Sequence, residues 1–212
     1  MIFHFLVQVS TWQTLNMDQE KYFRIRLKTI RPDKITNFNI YVRIGDRKLL
    51  YIKAGDTLNG EKINELHDKD SGENFFVLES DRQKYRDWIR EEINSSQLTP
   101  RNKADVLRES SVSLMEDLFA NPDVNKALDE AKPIINDFLD FMDAAPQSMG
   151  YLLSLSGHDF YTYNHSLDVS IYSLGLGQAL NFSRSDLEEL GVASLFHDIG
   201  KPKTKRGTGE DA

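Results

Sequence analysis

The chain has 212 residues, 40% of them hydrophobic and 28% charged, too apolar for a disordered chain and enough for one large or two small domains. Its 26 basic and 33 acidic side chains leave a net charge of −7, which disfavours a general nucleic-acid or anionic-membrane surface, so no DNA partner is expected. The absence of cysteine excludes disulfide scaffolds, thiol catalysis and Cys-based zinc sites.

The apolar run at the N-terminus, Ile2 to Val9, is broken by His4 and Gln8 and is far short of the ~20 residues a membrane span needs. No membrane span is expected, and the expected location is the cytoplasm. Period-2 alternation then dominates as far as residue 80. Phe23, Ile25 and Leu27 alternate with Arg24, Arg26 and Lys28, and Phe38, Ile40, Val42 and Ile44 with Asn39, Tyr41 and Arg43, so both stretches read as half-buried strands. Gly45-Asp46 suits a hairpin turn into a third strand, Lys48 to Lys53. A short helix around Glu61 to Lys69 and a strand from Asn74 to Leu78 complete a small α+β module, residues 18–95.

Helical spacing takes over after residue 80. Tyr85, Trp88, Ile89 and Ile93 follow the capping candidates Ser80 and Asp81. Thr99-Pro100 reads as an N-cap with proline at the first helical position, followed by the stripe Ala104, Leu107, Ser111, Leu114 and Leu118. Asn121-Pro122 repeats the start signal. Val124, Leu128, Ala131, Ile135, Phe138 and Met142 then space as core positions, with Pro133 a point of kinking. Ser95-Ser96-Gln97 is the linker candidate, which leaves residues 96–212 as a helical domain.

Of the five histidines, His4 and His67 have no useful neighbours, and His158-Asp159 reads as a helix start with Asp159 as N-cap. His197 and His165 stand apart. Ser185-Asp-Leu-Glu188 has capping-box form, so a helix is expected from about residue 186, with Leu187, Leu190, Ser194 and His197 on one inward stripe. Asp198 follows His197 where Gly200 and Pro202 end that helix. His165, Val169, Tyr172, Leu176 and Ala179 form a second stripe, also expected to face inward. A single inward histidine is more often a core residue bonded to backbone. Two of them beside a carboxylate match a divalent metal, and a two-His, one-carboxylate face suits iron or manganese. The basic run Lys201, Lys203, Lys205 and Arg206 places Lys201 three residues after Asp198, near enough to set an ammonium over a phosphate held by that metal.

Tyr161-Thr-Tyr-Asn-His165-Ser, followed after thirty-two residues by Leu195-Phe-His197-Asp198-Ile-Gly-Lys201, resembles the first half of the HD-domain phosphohydrolases. The likeness is narrower to the bacterial HD-GYP subfamily and runs from Asp159 to Pro202, roughly a fifth of the chain. The resemblance implies an all-helical domain around a metal centre, di-iron or di-manganese, that hydrolyses cyclic di-GMP. It makes His165 and His197 terminal metal ligands, Asp198 a bridging ligand, and Lys201 a contact to substrate phosphate, with Asp198 and Lys201 the catalytic residues. Members with three metals have a glutamate four residues before the first histidine. Tyr161 stands there, so a third metal is not expected. The family's later ligands and its Gly-Tyr-Pro loop would lie beyond Asp198, which only 14 residues follow.

The expected fold is thus an α+β N-terminal module followed by an all-α HD-type helical domain holding its N-terminal half. The function expected is a metal-dependent phosphodiesterase acting on cyclic di-GMP or a related phosphodiester, inactive as this chain alone. The alternatives are a non-catalytic signalling or interaction module on a degenerate HD scaffold, and an HD phosphohydrolase acting on nucleotides. The N-terminal module is a candidate surface for a protein partner, and the polar tail from Lys203 is expected to be disordered.

Overall fold

A computed structural model describes residues 21–60, 74–120, 124–145, 147–156 and 162–199. Strands β1 (Tyr22–Ile25), β2 (Ile40–Ile44), β3 (Arg47–Ile52) and β4 (Phe75–Leu78) form an antiparallel sheet in the order β1-β4-β2-β3. Gly45, at φ +59°, opens the two-residue turn between β2 and β3, where a hairpin needs positive φ. Alternation suggested that the first strand runs to Leu27, but β1 stops at Ile25. Thr29 closes a 3₁₀ turn over Leu27–Thr29, its amide and hydroxyl both donating to the Arg26 carbonyl at 3.0 and 2.6 Å. Phe23, Ile25, Ile40, Ile52, Phe75 and Val77 are buried on the inner face.

Helix α1 (Arg82–Asn94) follows a 3₁₀ turn at Glu79–Asp81 and lays Tyr85, Trp88 and Ile89 on that face. Asp81 takes the cap position without capping, because its carboxylate receives the Lys84 ammonium at 2.7 Å. Trp88 Nε1 donates to the Thr29 carbonyl at 3.1 Å, and the Tyr85 and Thr29 hydroxyls meet at 2.7 Å. Burial pushes the Tyr85 phenol above its ordinary range. Helix α2 (Pro100–Ala120) starts as expected, with Thr99 Oγ1 accepting from the Asn102 amide at 3.2 Å. Its expected stripe, Ala104 through Leu118, is buried throughout. Helix α3 (Val124–Ala144) runs through Pro133. It buries Ala131, Ile135, Phe138 and Met142, but Leu128 is exposed and Ala127 takes its place in the core.

Three further helices, α4 (Ser148–Ser154), α5 (Thr162–Ala179) and α6 (Arg184–Phe196), complete the described residues. Helix α2 is the hub, packing against β1, the Leu27–Thr29 turn and helices α1, α3, α4 and α5. The buried apolar side chains of sheet and helices accordingly form one continuous cluster. Charged links cross the same junction: Arg26 meets Glu116 of α2 at 2.5 Å, and Arg82 meets Asp117 of α2 and Glu130 of α3, each at 3.4 Å.

One expectation fails on α5. The stripe Val169, Tyr172, Leu176 and Ala179 does not face the core: Tyr172 is 49% and Leu176 62% exposed. The buried face is instead Leu167, Ser170, Ile171, Leu174 and Gly177. Small residues on it let α6 approach closely, and Ser170 Oγ donates to the Gly191 carbonyl across the contact at 2.9 Å. The expected helix over 61–69, the Asn121-Pro122 start, His4, His67, His158, Asp159, Tyr161 and the tail lie outside the described residues.

Candidate metal centre

Helices α5 and α6 form an antiparallel hairpin, and its geometry explains the sequence spacing of the two histidines. Helix α5 ends with Asn181 at φ +59°. The Phe182 amide bonds back to the Gly177 carbonyl and the Asn181 amide to the Gln178 carbonyl, each at 3.0 Å. This is a Schellman-type stop with asparagine in the left-handed position. Ser183, rather than the expected Ser185, then caps α6. Its hydroxyl accepts from the Asp186 amide at 3.2 Å and donates to the Asp186 carboxylate at 2.6 Å. The run from His165 to that turn and the run back to His197 each rise ~20 Å at 1.5 Å per residue. The two histidines therefore finish side by side.

Their rings lie 5.3 Å apart, edge toward face. Asp198 sits between them, with His197 Nε2 3.3 Å from Oδ1 and His165 Nε2 3.9 Å from Oδ2. One ligand atom from each of the three residues lies within 4.8 Å of the other two. The Asp198 side chain is 7% exposed, against 55% for His165 and 34% for His197. The carboxylate thus forms the floor of the cluster, as expected of an inward group, whereas both histidines reach it from a solvent-facing edge. His197 Nδ1 lies 2.7 Å from the Ser194 carbonyl. A carbonyl only accepts, so Nδ1 donates to Ser194, and Nε2 is the ring nitrogen left to face the cluster.

An HD domain family model matches residues 162–211, starting at the first residue of α5. Over 88 residues the chain is 32% identical to a cyclic di-GMP phosphodiesterase of Pseudomonas aeruginosa, a match covering 40% of this chain and 21% of that protein. The fold is similar to that of an HDG"Y"P protein from Bdellovibrio bacteriovorus, with a TM-score of 0.60 and 26% identity over 85% of this chain and 60% of the other. The chain carries an HD domain, and the relatives it resembles point to the HD-GYP type. It spans about a fifth of the length of the curated relative and under two thirds of the solved one.

HD domains are metal-dependent, and the donors here suit that requirement. Atoms bound to one ion at ~2.1 Å stand about 3.0 Å apart when adjacent and about 4.2 Å when opposite. The 3.3 and 3.9 Å separations fall in that window. A cation there answers the Nε2 lone pair and the carboxylate charge together, which nothing apolar could do. Lys201, the fourth residue singled out in the sequence, lies outside the described residues.

Sequence reading missed a buried ion pair on α5 near His165. Arg108 of α2 and Asp168 of α5, each 8% exposed, pair at 2.6 Å one turn beyond His165. The available signal was an arginine within the buried part of α2, beside Leu107 and Ser111.

Proposed function

We propose that this chain supplies the regulatory module and the first metal ligands of an HD-GYP-type phosphodiesterase acting on cyclic di-GMP. The convergence of His165, His197 and Asp198 on one edge of the HD domain carries this reading. The relative from Pseudomonas aeruginosa, named for that substrate, supports it. In this reading His165 and His197 are terminal ligands through their ring nitrogens. Asp198, with two carboxylate oxygens, would hold divalent ions, iron or manganese, together with them. Lys201 contacts the substrate phosphate.

Bound divalent ions would supply an activated water at neutral pH and neutralise charge on the phosphoryl oxygens. The chain's own contribution is positional. The Ser194 carbonyl holds the His197 ring in one orientation, and the Asp198 carboxylate lies buried between the histidines. The exposed His165 edge leaves room for a bulky dinucleotide to approach. Residues 18–95 form the regulatory part and 96–212 the HD part, with the sheet module a surface for a protein partner and the cytoplasm the site of action. Among the described residues no helix is long and apolar enough to cross a membrane.

Among the described residues, two imidazoles and one carboxylate hold one ion weakly, and a second ion would depend on Asp198 alone. The purified 212-residue chain is therefore expected to take up about one Mn²⁺ while turning over negligible cyclic di-GMP. The native gene product is expected to linearise cyclic di-GMP in a manner that His197→Ala abolishes. Native protein that binds Mn²⁺ yet leaves cyclic di-GMP and nucleotides intact would instead favour the non-catalytic signalling module.

A further inference from the structure

In the described part of α5, which begins at Thr162, His165 lies on a solvent-facing turn. Exposed helix turns open more readily than buried ones. A ligand placed there is only as well fixed as whatever anchors the next turn. In α5 that turn holds Ser166, Leu167 and Asp168, all buried. Leu167 contributes shape but no directional bond. Asp168 contributes a charge, paired at 2.6 Å with Arg108 of α2. The carboxylate comes from the residue three after His165, the guanidinium from the hub helix of the molecule. Arg108 lies eight residues, about two helical turns, before Glu116, which pairs with Arg26 beyond β1. The same rigid helix thus grips the sheet module at one point and the ligand-bearing turn at another.

From this geometry we infer that Arg108 and Asp168 are positioning residues for the metal centre: their buried pair holds this segment of α5 so that His165 stays in register with His197 and Asp198. Neither residue touches the cluster, and neither is a ligand. The inference rests on the metal-centre reading for its consequence but not for its mechanics, since the pair anchors α5 whether or not an ion is present. An apolar pair of similar volume fills the same space without fixing the turn along the helix axis or in rotation, because dispersion contacts have no preferred direction. A monodentate contact needs charge and reach more than a planar fork, so lysine at position 108 preserves most of the function.

The test compares the full chain with Arg108→Met/Asp168→Leu, which removes both charges together and leaves no unpaired ion in the core. Arg108→Lys serves as the conservative control. Amide hydrogen exchange is followed along α5, and Mn²⁺ affinity is measured by calorimetry, with the thermal midpoint reporting overall stability. The double variant is expected to stay folded, to exchange the amides of residues 163–168 at least roughly tenfold faster, and to bind Mn²⁺ roughly tenfold more weakly. Arg108→Lys should remain close to wild type in both. Unchanged exchange in that segment, or exchange that rises uniformly over the molecule with Mn²⁺ affinity unaltered, overturns the inference and leaves the pair merely structural. If the wild-type chain takes up no Mn²⁺, the metal-centre reading fails, and the positioning role is decided by the exchange pattern alone.

Discussion

The Ser194 carbonyl engages Nδ1 of His197, and that bond at 2.7 Å leaves only Nε2 to face Asp198. One turn earlier, Gly191 sits where α6 crosses α3 and α5. A Cβ there would meet Ile135 Cγ2 at 2.8 Å and Leu174 Cδ2 at 2.9 Å. Gly191→Ala therefore forces Ile135 and Leu174 to repack or α6 to shift. Chemical denaturation should show a loss of about 1–3 kcal/mol, accompanied by weaker Mn²⁺ binding where α6 is what shifts. Asp137 of α3 gives a separate test. Burial raises its carboxyl above the usual range, opposed in part by Arg90. A raised folded-state value means that stability falls as pH rises from the ordinary carboxylate range through the raised one. Asp137→Asn mimics the protonated form, so it should stabilise the protein at pH 7. The advantage should vanish below about pH 4, as read from urea midpoints across pH.

At the scale of single elements, the strands, α1 and α2 were legible because their apolar residues recur with one clear period. Helix α5 was misread for a physical reason. It carries apolar side chains on two faces, and the sequence holds Tyr172 and Leu176 in line with His165. The face that packs is the one with Ser170 and Gly177, because close approach to α6 needs small residues there as well as Leu167, Ile171 and Leu174. The presence of small residues, more than hydrophobicity, was the signal. Leu174→Ala should cost about 2–5 kcal/mol, whereas Leu176→Lys, on the exposed face, should change stability by about 0.5 kcal/mol or less. Equal losses would show that the helix is turned as the sequence first suggested. The α6 cap was placed two residues late because two serines precede the acidic pair. Ser183→Ala should cost about 1 kcal/mol and Ser185→Ala much less. The histidine cluster itself was legible because the resemblance implied that the helices carrying His165 and His197 pack together, and the hairpin that joins them brings the two residues side by side. The Arg108–Asp168 anchor was not, since pairing between distant helices leaves no periodic trace.

In the whole molecule, the change from strand to helix periodicity near residue 80 marks a change of architecture. The packing crosses it: α2 shares its buried face between the sheet and the other helices, and Arg26 and Arg82 tie the parts together. Unfolding should therefore be a single transition, with tryptophan fluorescence, to which the buried Trp88 contributes, and helical circular dichroism changing together. Arg26→Met, which leaves Glu116 only its longer contact to Arg24 at 3.5 Å, should lower stability by less than the ~3–5 kcal/mol that a fully stranded buried charge costs and shift both signals equally. The account's central claim is that His165, His197 and Asp198 together hold a divalent metal, and a calorimetric Mn²⁺ titration of the purified chain tests it most directly. One saturable site per chain is predicted, lost in His197→Ala and in Asp198→Asn while the thermal midpoints of the apo proteins stay close to wild type. A wild-type chain that binds no Mn²⁺, or variants that bind it as well as wild type does, would contradict the claim.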